Sequence, residues 1–193
     1  IFCQGTMPVV DRATGNILLA SPGQVNVSPD GHGGTLAALH QSGALDDIQR
    51  RGIRHLFYLQ VDNPLIDVCS PEFIGYHLLS RSELSSQVIA KQPPLEKVGN
   101  VVEVDNRLHV IEYSDLPDKK PDDAAFRRNE DDSLQIWAGS IAVHVFDVEF
   151  LRRMADSADA LPFHFAKKEV DHVDADGNLV EPDEPNAIKF ERF

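Results

Sequence analysis

The run His55-Leu56-Phe57-Tyr58-Leu59-Gln60-Val61 is apolar almost throughout and ends abruptly at Asp62-Asn63-Pro64. So short a run, closed by turn formers, reads as a strand, and its lack of alternation predicts burial on both faces. A strand of that kind belongs to a sheet covered by helices, so this segment sets the expectation of an α/β core. The flanking sequence agrees. Over residues 35–51, Leu36, Leu39, Leu45 and Ile48 recur at helical spacing, and Gly52 is placed to close the helix. Residues 71–79 suit a second helix with proline in its first turn. Residues 86–91 are expected to form the next strand.

The second half is patterned differently. Residues 101–104 and 107–112 flank Asp105-Asn106, a hairpin signature. Residues 134–146 are apolar and β-prone, with an interruption at Ala138-Gly139-Ser140, and Asp147 is placed to cap a short helix running to Met154. Residues 163–173 and 179–180 flank Asp174-Ala175-Asp176-Gly177-Asn178, a second hairpin turn. That turn starts like a calcium loop, but its glycine falls early and no glutamate follows at the twelfth position. Residues 115–133 are charged and poor in apolar side chains, as in an exposed loop. The expected architecture is α/β: a mixed sheet flanked by helices, with added β-hairpins, in one domain over residues 1–193. Both ends read as interior to a longer polypeptide, since Ile1-Phe2-Cys3-Gln4 has no polar leader and residues 188–193 alternate like a strand still running.

Several function classes are disfavoured. A formal charge of −13 argues against a nucleic-acid partner, which calls for a basic face. No apolar run approaches the roughly 18–20 residues that span a bilayer. Cys3 and Cys69 form no CxxC pair, which suits a reduced, cytoplasmic setting with both thiols buried. The 8 histidines show neither H-x-x-x-H nor H-x-H spacing, so no zinc site is expected. Gly-x-Ser-x-Gly is absent as well.

Three places remain where chemistry could sit. Gly31-His32-Gly33-Gly34 precedes a helix, where glycines allow close backbone approach and a helix N-terminus offers unpaired N–H donors. The loop has neither the Walker nor the dinucleotide spacing, and a plain turn with a cap is the other reading. Asp62, at the carboxyl end of a buried parallel strand, stands where open α/β sheets bind ligands, and its carboxylate suits Mg2+ or a ribose hydroxyl. A capped turn before Pro64 is its alternative. Glu112 could accept hydrogen bonds from sugar hydroxyls, and Gly139-Ser140 would leave room for a ring; from spacing alone, ordinary edge-strand polarity is the better reading of both.

Taken in order, these segments resemble the UDP-N-acetylhexosamine pyrophosphorylase family of UTP-dependent uridylyltransferases. The stretches that carry the resemblance run from Gln4-Gly5-Thr6-Met7-Pro8 through Pro29-Asp30-Gly31-His32-Gly33-Gly34 and Val61-Asp62-Asn63-Pro64-Leu65. They continue through Pro71-Glu72-Phe73-Ile74-Gly75, Lys97-Val98-Gly99, Val110-Ile111-Glu112-Tyr113-Ser114, Ala138-Gly139-Ser140-Ile141-Ala142 and Pro185-Asn186-Ala187-Ile188-Lys189. The resemblance implies a Rossmann-like nucleotidyltransferase fold and formation of UDP-N-acetylglucosamine and pyrophosphate from UTP and N-acetylglucosamine 1-phosphate, with Mg2+. It places Gln4, Gly31 and His32 on the nucleotide and Asp62 at the metal and phosphates. Gly99, Glu112 and Ser140 would line the sugar pocket, and Lys189 would approach the phosphates. Ser140 stands where many eukaryotic members carry Asn, and His32 where they carry Asn but related UDP-glucose enzymes carry His. The family's glycine-rich loop, which grips the triphosphate, and a further phosphate-binding lysine are not among these residues.

Overall fold

A computed structural model describes residues 1–113, 115–116, 123–157 and 161–192. The chain divides into two compact units, one formed by Ile1–Arg54 and Val148–Phe193, the other by His55–Asp147.

In the first unit a three-stranded sheet sets Ala187–Arg192 between Phe163–Lys168 and Val10–Asp11. Val9, Leu18 and Ala187 form its buried core, with Val170 packed against them. The strand expected over 163–173 is split between sheets: Phe163–Lys168 pairs with Ala187–Arg192, whereas His172–Val173 pairs with Leu179–Val180 and Leu19. Asn186 holds the chain at this crossing, because its Oδ1 accepts from Val170 N (2.9 Å) and its Nδ2 donates to Val170 O (3.1 Å). The turn at 174–178 forms as expected. Asp174 Oδ1 accepts from the backbone N of Asp176 and Asn178, each at 2.9 Å, and Gly177 has φ +84°. Hydrogen bonds from Asn178 hold the Asp174 carboxyl below its ordinary range.

The helix expected over 35–51 is two helices, Gly34–Gln41 and Ala44–Arg50. The break is at Gly43, whose φ of +70° is left-handed and stops helical propagation. Val148–Ala155 packs on both. Arg152 donates to Gln49 Oε1 and lies 3.8 Å from Asp46.

The second unit is built on one long strand, Ala138–Asp147, which pairs with Leu84–Ala90 along one side. Its other side is shared between His55–Tyr58, opposite residues 144–147, and Gly99–Val104, opposite residues 138–140. This division explains why the apolar run stops as a strand at Tyr58, since no ladder partner is paired beyond it among the described residues. The strand also departs from expectation in direction and burial. It runs antiparallel to its neighbour, its residues are half-buried, and Val61 is fully exposed. The strand pairings of both units are antiparallel among the described residues. The helix Pro71–Ser80 and the hairpin Gly99–Val104/Arg107–Ile111 match the sequence, with Asp105 and Asn106 both at positive φ in the turn.

Gly139 and Ser140 do not interrupt the long strand. The irregularity falls just after them, as a bulge between Ser140 and Val143 with Ala142 at φ +53°. Within residues 115–133 the charged loop contains a 3-10 turn, Ala124–Phe126, whose Ala125 is buried, while residues 117–122 lie outside the described residues. Both cysteines are exposed, against expectation. Cys3 lies ahead of the first strand, and Cys69 occupies a turn with φ +58° before the helix Pro71–Ser80.

Candidate functional site

In the first unit Gln4, Gly31 and His32 come together. Gln4 Nε2 donates to Asp30 Oδ1 (3.2 Å) and to Gly31 O (3.1 Å). The loop is clipped to the end of the strand Ala187–Arg192 by reciprocal backbone bonds, Arg192 N to Asp30 O at 2.7 Å and Gly33 N to Arg192 O at 2.8 Å. Gly31 has φ +83°, and a Cβ there would lie 2.4 Å from Arg192 O. The glycine's missing side chain therefore admits the protein's own strand. The first helical donors are also taken: Gly34 N, Thr35 N and Leu36 N reach the carbonyls of Gly31, His32 and Gly33. The expectation of a helix start with open N–H groups is thus corrected. Lys189 lies three residues before Arg192, about 10 Å along the same strand.

Two residues here escaped the sequence reading. Asp30 is buried and accepts from Gln4; Arg192 lays its guanidinium 4.3 Å over the Phe163 ring, with Nε buried and unpartnered. Pro29-Asp30-Gly31 was visible as a motif, but nothing in it signalled that the aspartate organises the loop.

In the second unit Gly99, Glu112 and Ser140 converge. Gly99 is the cross-strand partner of Ser140. A Cβ at Gly99 would sit 2.9 Å from Val110 Cγ1, 3.2 Å from Glu112 Oε1 and 3.5 Å from Ser140 Cβ. Val110 and Glu112 from one segment and Ser140 from another thus crowd the position of Gly99. Ser114, the last residue of the Glu112 motif, lies outside the described residues.

Beneath this group Lys91 is buried and donates to Asn100 Oδ1, while Asn100 Nδ2 donates to Val98 O (3.3 Å) and Ile111 O (3.2 Å). Burial lowers the Lys91 pKa, opposed by the nearby Glu96 carboxylate. The folded form therefore binds this proton less readily than the unfolded chain. The stability term from Lys91 rises with pH between its lowered value and the ordinary lysine range. Asn100→Ala is expected to cost roughly 2–4 kcal/mol, because a buried ammonium and two carbonyls lose partners together. Lys91→Met is expected to cost less, since it removes the buried charge itself. Urea melts of both variants measure this, and the reverse order would show that Lys91 is paired elsewhere.

Asp62 lies in the second unit, in an exposed turn after the strand, with Asn63 N bonded to Gln60 O at 3.3 Å. Val61 and Leu65 beside it are almost fully exposed. Asp62 belongs to no group of three or more His, Cys, Asp or Glu side chains placed to hold a metal ion among the described residues. One accessible carboxylate is a donor set that suits Mg2+, which takes one or two carboxylates and completes its shell with phosphates and water. A different trio does converge: His55, His77 and Asp147, whose donor atoms all lie within 4.8 Å of one another. Local histidine spacing gave no sign of this group, because the three residues are far apart in sequence and meet only through the fold.

Across its full length the chain superposes on a solved Entamoeba histolytica structure described as a UDP-N-acetylglucosamine pyrophosphorylase, with TM-score 0.83 and 34% identity, covering 46% of that chain. Fold and loop together therefore define a nucleotidyltransferase-type α/β protein. Residues 1–193 match the family model described as UTP–glucose-1-phosphate uridylyltransferase, and the chain belongs to that family. Among curated relatives, a Xenopus tropicalis UDP-N-acetylhexosamine pyrophosphorylase-like protein 1 is 37% identical over 194 residues, and the Saccharomyces cerevisiae UDP-N-acetylglucosamine pyrophosphorylase is 34% identical over 194 residues. Each alignment takes in all of this chain, which spans 37% and 40% of their respective lengths.

Proposed function

We propose that the protein carrying this chain joins UTP to N-acetylglucosamine 1-phosphate, releasing pyrophosphate. The observation that carries this reading is the convergence of Gly99, Glu112 and Ser140: Gly99 pairs across the strands with Ser140, and the Glu112 carboxylate lies beside it, so the three residues the resemblance assigns to the sugar stand together. The names of the curated relatives support the same substrate class.

The sugar-phosphate oxygen is already anionic near neutral pH, so it attacks the α-phosphorus without a general base, and pyrophosphate leaves in line. Glu112 accepts from sugar hydroxyls and the Ser140 hydroxyl donates to the ring substituent. Gln4, Gly31 and His32 hold the nucleoside, and Lys189 offers positive charge to the phosphates. Asp62 would hold Mg2+, which when bound would supply positive charge to the phosphoryl oxygens. The place of action is the cytoplasm. Neither nucleic acid nor membrane is a partner; among the described residues no helix is long and apolar enough to cross a membrane.

His32 favours one second reading, a UDP-glucose or broad UDP-sugar pyrophosphorylase, and Ser140 does not exclude it. A hydroxyl reaches less far than the amide many relatives carry and donates one hydrogen where an amide donates two, so it holds an N-acetyl group less firmly. Pyrophosphorolysis separates the readings: UTP release is measured from UDP-N-acetylglucosamine, UDP-N-acetylgalactosamine and UDP-glucose with Mg2+ and pyrophosphate. Release chiefly from the N-acetylated sugars is expected, and Ser140→Asn should widen the preference over UDP-glucose roughly tenfold, the effect of about one added hydrogen bond. Preference for UDP-glucose would move the substrate, and no release from any of the three by folded protein would sink the enzymatic reading.

A further inference from the structure

We propose that His55, His77 and Asp147 form a zinc site that clamps the second unit, independent of the uridylyl-transfer reading and of its Mg2+. His55 opens the strand His55–Tyr58, His77 lies in the last turn of the helix Pro71–Ser80, and Asp147 ends the strand Ala138–Asp147. His55 and Asp147 are direct cross-strand partners. The Asp147 backbone is pinned by its N–H to Glu83 O at 2.9 Å.

The two imidazoles approach the same carboxylate oxygen. His55 Nδ1 lies 2.7 Å and His77 Nε2 3.2 Å from Asp147 Oδ1. A carboxylate has two oxygens to share between two donors, yet both rings crowd onto one, and their planes meet edge-on with centroids 5.4 Å apart. Two nitrogens and one oxygen therefore face a common centre. Ligands held at about 2.0–2.2 Å from a tetrahedral zinc stand about 3.3–3.6 Å apart, so the two imidazole–carboxylate separations need to open by less than about 1 Å to admit the ion.

The support behind the ligands fits the same purpose. His77 is almost fully buried, and its other nitrogen, Nδ1, lies 2.8 Å from Ser85 Oγ. With Nδ1–H donating to that hydroxyl, Nε2 presents its lone pair to the centre, the outer hydrogen bond that metal-bound histidines keep. His55 and Asp147 are partly exposed, at 29% and 35% of their side-chain surface, which leaves water a route to a fourth position. Two imidazoles with one carboxylate select zinc or a similar first-row ion over Mg2+, which takes oxygen. The ion would join a strand end, a helix end and a second strand end.

The test uses chelator-stripped protein in a Cys3→Ser/Cys69→Ser background, so that the exposed thiols do not bind the metal. Calorimetric titration should give one equivalent of Zn2+ and none of Mg2+ at this site, and Zn2+ should raise the melting temperature. Co2+ in its place should give the intense visible bands of a four-coordinate ion. His55→Ala and Asp147→Asn should each weaken Zn2+ binding by roughly tenfold or more and abolish the thermal shift, whereas His109→Ala, on an exposed strand, should do neither. Absence of stoichiometric Zn2+ binding, or binding unchanged in both ligand variants with their fold verified, would overturn the proposal and leave a hydrogen-bonded cluster.

Discussion

Replacing Gly31 by alanine is expected to destabilise the first unit by about 3 kcal/mol or more, and to weaken nucleotide binding with it. Two costs combine. The φ of +83° disfavours any side chain, by roughly 1–2 kcal/mol for alanine. The new Cβ would also lie 2.4 Å from Arg192 O and 2.6 Å from Arg192 N, backbone atoms that cannot rotate away. Relief requires the loop to leave the strand, breaking the Arg192 N–Asp30 O and Gly33 N–Arg192 O bonds. Gly15→Ala provides the control, because Gly15 has φ +74° and nothing within 4 Å of its ideal Cβ. Alanine there incurs the dihedral cost alone, roughly 1 kcal/mol. Urea melts of the two variants isolate the steric part as their difference. Equal losses would show that the loop does not depend on its contact with the strand.

This contrast marks how far the sequence could be read. Elements fixed by local chemistry were legible: Pro71 at a helix start, Asp105-Asn106 in a hairpin, Asp174–Asn178 in a turn held by its own aspartate. That Gly99, Glu112 and Ser140 stand together was legible too, through the ordered motifs that contain them. What failed depended on partners distant in the chain. The apolar run at 55–61 predicted a strand to Val61, but a strand extends only as far as its neighbour, and that neighbour bulges between Ser140 and Val143. Glycines before a helix looked like room for a ligand, yet Gly31 makes room for Arg192. The histidines showed no local metal spacing because His55 and His77 stand 92 and 70 residues from Asp147. Local spacing rules detect ligands on one helix or hairpin and pass over those on separate elements.

Asp62→Ala is expected to reduce kcat/KM for pyrophosphorolysis roughly a hundred- to a thousand-fold, the scale for losing one electrostatic stabiliser of the transition state. The same variant should melt within about 0.5 kcal/mol of the parent, because Asp62 is exposed in a turn with no buried partner to orphan. That dissociation of activity from stability separates the proposed metal role from the competing one, a turn-capping aspartate, whose loss would lower stability and leave turnover nearly intact. Asp62→Asn sharpens the distinction, since an amide preserves a cap and binds Mg2+ poorly. It should therefore behave like alanine in turnover and like aspartate in the melt. Excess Mg2+ should partly restore both variants, with a raised apparent metal requirement. Zn2+ at His55, His77 and Asp147 should leave that requirement unchanged, because an oxygen site and a nitrogen-rich site select different ions. Full turnover in Asp62→Ala would remove this carboxylate from the mechanism and assign the metal to residues elsewhere in the protein.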